Sequence, residues 1–211
     1  MPKVSQEYRD ERRAHILAAA RRCFVRDGFH GTSMQDLVAE AGMSSGAVYR
    51  YFPSKDAIIE AIAAQNLDQV VGVVRDSLDR GLGVGEAMAS VLDYVAHRHA
   101  EDDFAAVALM VWSEALRNPV LASRLRESNE AAIKLLSAQA QAAGRHDRTP
   151  AASRHDPAPA AQADLLLCLL PGYLMQLAIR GPQAVSTIPA TVKRTFSAKS
   201  APKPRAAKRP R

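Results

Sequence analysis

The stretch GFHGTSMQDLVAEAGMSSGAVYRYFPSK, residues 28–55, decides how the rest of the chain is read. It parses into two short helices joined by a tight turn. Thr32 or Ser33 can cap the first, because a hydroxyl at that place accepts from unpaired amides of the opening turn. Met34, Leu37, Val38 and Ala41 recur at helical spacing and form its inward face. Gly42 permits a sharp reversal, and Ser44 or Ser45 caps the second helix. There Val48 and Phe52, four apart, face inward, which leaves Ser45, Gly46, Tyr49 and Arg50 pointing out. A short helix with a small, polar and aromatic outer face, set at an angle on a buried partner, is the form in which a helix enters the major groove of DNA.

Working outward, Glu7 to Asp27 reads as a preceding helix. Ile16, Ala19, Ala20, Cys23 and Phe24 form one apolar stripe, and Gly28 is expected to end the helix. Downstream, Pro53 breaks the chain, and Ser54 with Asp56 starts a long fourth helix carrying Ile59, Ile62, Leu67, Val70, Val71, Val74 and Leu78. Four more helices follow, over residues 86–100, 103–116, 120–143 and 159–180. Residues 144–159, with three prolines and mixed charge, read as a loop. A last helix within 182–196 is weakened by Pro189. Residues 197–211 hold Lys, Arg, Pro and Ala with little to pack, and read as disordered.

Composition supports an all-α fold: Ala-, Leu-, Arg- and Glu-rich stretches at 3–4 spacing, with no sustained alternation of β-branched residues. No run reads as apolar enough to span a bilayer, and the acidic residues among the first eleven do not suit a signal peptide, so no membrane partner and a cytoplasmic location are expected. Cys23 and Cys168 each sit in an apolar helical pattern and read as reduced core thiols, with redox sensing by Cys168 as the alternative. The net charge of +6 is unevenly spread: +3 over residues 1–55, −5 over 56–182 and +8 over 183–211. Basic ends suit a polyanion, and an acidic middle does not. Phosphate-binding glycine loops, nucleophile elbows and metal clusters are absent, so neither an enzyme nor a cofactor is indicated.

The pattern Arg13, Ile16, Leu17, Ala20, Phe24, Gly28, Phe29, Gly31, Thr32, Ser33, Met34, Leu37, Ala41, Gly42, Met43, Ser44, Gly46, Val48, Tyr49, Tyr51, Phe52, Ser54, Lys55 resembles the TetR family of transcriptional regulators over about residues 9–60. The resemblance implies an N-terminal three-helix DNA-binding domain, residues 1–55, and a helical effector-binding and dimerisation domain, residues 56–196, followed by a basic tail, 197–211. It implies a homodimer on a near-palindromic double-stranded operator, and a repressor released by a small molecule. A regular final helix is expected of the family, and the chain departs from that after Gly181.

Arg50 is expected to reach a base or an adjacent phosphate through its fork of donors. Tyr49 and Tyr51 suit phosphates through their hydroxyls, with packing against the first helix as the alternative for Tyr51. Ser33 offers a hydroxyl and helix N-terminal amides to a phosphate, and Gln35 lies in the same first turn. Ser44, Ser45 and Gly46 lie where the helix enters the groove, and Lys55 is a further phosphate contact by resemblance. Six cations between Lys199 and Arg211 could follow any phosphate backbone, or simply keep the chain soluble.

For the sensor, Tyr94, Phe104, Met110, Trp112 and Tyr173 are candidate apolar contacts, and His97, Glu114 and Cys168 candidate polar ones, with plain core as the alternative. His97 and Glu101 have metal-ligand spacing, but two ligands are too few, and no metal is expected. The apolar helix 159–180 is assigned to dimerisation through Leu166, Leu169, Leu170, Leu174 and Leu177, with single-subunit core as the alternative. Two other readings stay open: an activator of the same fold, and a less specific DNA-coating protein using its basic tail.

Overall fold

The computed structural model describes residues 5–146 and 159–196. Ten helices, with no strand among the described residues, follow in order: α1 Gln6–Gly31, α2 Met34–Ala41, α3 Ser45–Tyr51, α4 Lys55–Asp79, α5 Val84–Asp102, α6 Phe104–Ala115, α7 Pro119–His146, α8 Pro159–Arg180, α9 Pro182–Val185 and α10 Ile188–Phe196. Helix α1 does not stop at Gly28. That residue leaves helical geometry (φ 73°, ψ 169°), which few side chains tolerate, and the chain then takes one more turn to Gly31. The extent of α7 shortens the expected loop, of which residues 147–158 lie outside the described residues, as does the segment 197–211.

Two hydrophobic cores organise these helices. The first gathers Ile16, Ala20, Cys23 and Phe24 of α1, Leu37 of α2, and Val48 and Phe52 at α3. Phe24 and Phe29 meet edge to face at 4.7 Å. This core does not end at residue 55. Ile58, Ile59, Ile62 and Ala63 of α4, Val107, Val111 and Ala115 of α6, and Leu121 of α7 complete it. The second core joins α4, α5, α6, α7 and α8 through Met88, Val91, Leu92, Val95, Phe104, Leu136, Leu166, Leu170 and Leu174. Trp112 packs against both.

The chain after Gly181 is ordered where sequence reading saw irregularity. Pro189 falls at the second position of α10, where a missing N–H removes no helical bond. Helix α10 lies close on α5: a β-carbon at Gly85 would stand 2.8 Å from that of Phe196. Lys193 adds an ion pair to Glu86 at 2.9 Å, which helps hold that carboxyl below its ordinary range.

Two further expectations are corrected. By length and composition α4 and residues 163–180 of α8 are apolar enough to cross a bilayer. In the fold, α4 buries Ile58, Ile59, Ile62, Ala63 and Val74, and α8 buries Ala163, Leu166, Leu170, Tyr173, Leu174 and Leu177. Cys23 is buried as expected, whereas Cys168 is exposed and is not a core thiol.

Leu121 is buried and lies far in sequence from the helices it covers. Leu121→Ala should therefore lower unfolding free energy by about 2–5 kcal/mol in denaturant melts. An unchanged midpoint would show that α7 does not close the N-terminal core.

Candidate nucleic-acid interface and ligand cavity

Local chemistry sets the pose of α2 and α3. Ser33, not Thr32, caps α2: its hydroxyl accepts from the Asp36 amide at 3.2 Å while Asp36 accepts from the Ser33 amide at 2.8 Å. The Ser33 hydroxyl also donates to Asp36, and these bonds hold the Asp36 carboxyl below its ordinary range. Thr32 is buried, donating to the Gly28 carbonyl at 2.8 Å across the break in α1. Gly42 ends α2 in the left-handed region, φ 61° and ψ 29°, and its amide returns to the carbonyls of α2. Ser44, not Ser45, caps α3, accepting from the Ala47 amide at 3.3 Å.

From this frame α3 turns one face in and one out. Val48 and Phe52 are buried, and the Arg13 guanidinium lies over the Phe52 ring at 4.5 Å. Ser44, Ser45, Gly46, Tyr49 and Arg50 are exposed in one continuous patch, with Tyr49 48% exposed, and Ser33 and Gln35 are exposed at the start of α2. No ion pair within the described residues engages Arg50. Arg22 and Arg26 on α1 pair with Glu40 of α2 at 2.7 and 3.4 Å, bracing the angle between the two helices and keeping Glu40 ionised. The His15 ring meets the Ala41 carbonyl at 2.8 Å, at the same C-terminal end of α2.

Two expected contacts stand apart from this patch. Tyr51 is half-buried against the N-terminal core. Lys55 is half-buried, and its ammonium donates to the carbonyls of Phe29 and Thr32 at 2.6 and 2.8 Å. Two of its three donors are thereby spent on the end of α1, which has no other helical partner there. Lys55 is thus first a structural clamp.

The sensor side is corrected more heavily. A cavity of about 50 Å³ lies between α4, α6, α7 and α8, with Val70, Val111, Phe104, Trp112, Leu170 and Asn66 among its walls. Phe104 and Trp112 were expected there. Met110 instead packs on the N-terminal core. Tyr94 packs edge to face on Phe104 at 6.2 Å and its hydroxyl accepts from Arg98 at 2.9 Å. Tyr173 is core, and burial with Asp93 nearby pushes its phenol up to about 12. His97 is exposed and pairs with Glu101 on its own helix. Glu114 meets His30 of α1 at 3.0 Å and Arg117 at 3.5 Å, a tie between the two halves of the molecule.

Helix α8 is corrected too. Leu166, Leu170, Leu174 and Leu177 are buried in the subunit's own core, so they are not free for a partner; Leu169, 38% exposed, is. Leu165, Met175 and Ile179 join it on the outer face, beside exposed Cys168 and Gly172. A helix apolar all round hides its register from sequence, and the packing reveals it.

Sequence reasoning missed Arg21. It is 5% exposed, donates to Asn66 at 2.6 Å and Gln65 at 3.2 Å, and stands 3.9 Å from Asp102. Burial lowers its pKa, and Asp102 opposes that. The signal was present: Arg21 follows Leu17 by one turn on the buried side of α1.

Residues 16–62 match the family model described as bacterial regulatory proteins, tetR family. The chain is 36% identical over 119 residues to the HTH-type transcriptional regulator YfiR of Bacillus subtilis, covering 56% of this chain and 58% of that protein. It is 37% identical over 87 residues to the HTH-type transcriptional repressor Rv1474c of Mycobacterium tuberculosis, covering 37% of this chain and 46% of that one. The chain thus spans about half the length of the curated relatives it matches. The solved structure of GusR from Salmonella enterica superposes with a TM-score of 0.70 at 28% identity, over 92% of this chain and 97% of that one.

Lys55→Met should lower unfolding free energy by about 1–3 kcal/mol by orphaning two carbonyls. It should leave the dependence of DNA affinity on salt unaltered. A slope reduced by about one would return Lys55 to phosphate contact.

Proposed function

The chain belongs to the tetR family of bacterial regulatory proteins, and from that premise we propose that it is a homodimeric repressor that reads a palindromic operator and is released by a small, mainly apolar effector. The observation that carries the DNA-reading part is the exposed patch of Ser44, Ser45, Gly46, Tyr49 and Arg50 on a helix whose opposite face is buried. Arg50 reads a guanine edge or an adjoining phosphate. Tyr49 bonds a phosphate, and Gly46 lets the backbone approach. Ser33 and Gln35 contact the flanking backbone at the start of α2.

The dimer reading rests on the outer face of α8. Leu165, Leu169, Met175 and Ile179 form an apolar stripe at helical spacing, with Leu165 53% and Ile179 75% exposed. A stripe of that kind in water favours a second copy of itself, and two copies would set two reading helices at a fixed spacing. The effector reading rests on the apolar cavity between α4, α6, α7 and α8. Helix α4 runs from the DNA-binding core into the cavity wall, so a ligand that favours one pose of α4 favours one spacing of the reading helices.

Selection of bound sites from random DNA, followed by footprinting, should return one short palindrome. Protection without sequence preference would favour a DNA-coating protein instead. On the selected site Arg50→Ala should cost about 1–3 kcal/mol and relax preference at one base pair; unaltered affinity would defeat its assignment. In light scattering at micromolar concentration the wild type should be a dimer and the pair Leu169→Lys with Ile179→Glu a monomer. A wild-type monomer would overturn the interface.

A further inference from the structure

The cavity has polar walls at Asn66, Ser128 and Asn129, and of these only Asn66 is buried, at 5% exposure. The orientation of its amide follows from chemistry. A guanidinium has donors only, so the atom 2.6 Å from Arg21 Nη2 is the oxygen, Oδ1. The NH2 group therefore points elsewhere, and it is buried with no hydrogen-bond partner. A buried N–H left in that state is costly, and it is unusual in folded proteins unless something else meets it. Around it the cavity is lined by Ala63, Leu67, Val70, Val111 and other apolar side chains, with no Lys, Arg or His.

On its other side Asn66 holds the DNA-binding unit. Arg21 belongs to α1, and its remaining arrangement is incomplete: Nη1 makes no hydrogen bond, and neither does Asp102 Oδ1 on α5, although the two side chains approach to 3.9 Å. A shift of the Asn66 amide changes what Arg21 Nη2 can reach, and the Arg21–Asp102 pair has spare bonding capacity to take up the difference.

Resting on the reading of this cavity as the effector site, we propose that Asn66 is its recognition residue and its link to α1: Nδ2 donates to the carbonyl oxygen of an uncharged, mainly apolar ligand while Oδ1 holds Arg21. An acceptor is required because the free group is a donor. The ligand is uncharged because no cation lines the wall and burying an unpaired carboxylate is far costlier than burying a ketone.

The test uses cyclohexanone and methylenecyclohexane, which share a shape and differ by the carbonyl. Trp112 is the sole tryptophan and lines the cavity, so its fluorescence reports binding in the full-length protein. The wild type should bind the ketone roughly fivefold or more tightly than the alkene, the order of one hydrogen bond. The ketone should also shift the Asn66 side-chain amide and the Arg21 Nε–H signals in a nitrogen-15 spectrum. Asn66→Asp keeps an oxygen for Arg21 and removes the donor, so it should stay folded, lose the ketone preference and lose the Arg21 shift. Asn66→Leu should lose the preference as well. Equal affinity of the two probes for the wild type, or a preference that survives in Asn66→Asp, overturns the role of Asn66 and leaves the cavity standing. An Arg21 signal that does not move with the ketone overturns the link to α1. If neither probe alters Trp112 fluorescence at saturation in solution, the cavity reading fails, and the proposal fails with it.

Discussion

The DNA-binding unit completes its hydrophobic core with side chains from the C-terminal helical bundle. Val107, Val111 and Ala115 of α6 and Leu121 of α7 lie among Ile16, Phe24, Leu37 and Phe52. One long and two short helices bury too little apolar surface to be strongly stable by themselves. Here the deficit is met by residues distant in sequence, Val107 to Leu121, so the pose of α1 to α3 depends on the pose of α6. Trp112 marks the dependence in one side chain, since it packs on both cores and lines the cavity.

Polar contacts reinforce the same seam. Arg21 crosses from α1 to Gln65 and Asn66 of α4 and toward Asp102 of α5, and Glu114 of α6 meets His30 at the end of α1. The buried contacts of Arg21 contribute little net stability, but they are demanding about geometry, because a small displacement strands a donor or an acceptor. A dispersive core alone would let helices slide. The combination gives a junction that tolerates few arrangements.

What was legible in the sequence follows the range of the forces involved. The helix–turn–helix is built from local signals, the caps Ser33 and Ser44, the left-handed Gly42 and the four-residue spacing of Val48 and Phe52, and each of these reads directly from adjacent residues. The alternatives left open there, Thr32 against Ser33 and Ser44 against Ser45, depend on one hydrogen bond each and needed coordinates. The C-terminal bundle was less legible because α8 is apolar on more than one side, burying Leu166, Leu170 and Leu174 while exposing Leu165, Leu169 and Ile179. Large apolar side chains point to Tyr94, Met110 and Tyr173, whereas the wall of the cavity is mostly aliphatic, with Phe104 and Trp112 as its aromatic members. On α8 periodicity could not choose between the Leu166 and Leu169 faces, since both are leucine. The buried polar residues Arg21 and Asn66 did leave a trace: each interrupts the apolar stripe of its helix, as Asn66 does after Ile59, Ile62 and Ala63. That trace is easily discounted, because arginine and asparagine are seldom fully buried.

Native-state hydrogen exchange tests the shared core most directly. If α1 to α3 depend on α6 and α7 for closure, amides around Ile16, Ala20 and Phe24 and amides around Val107 and Val111 should exchange through one common opening, with the same free energy and the same denaturant dependence. A separate opening of α1 to α3 at lower free energy, with α6 still protected, would contradict the account.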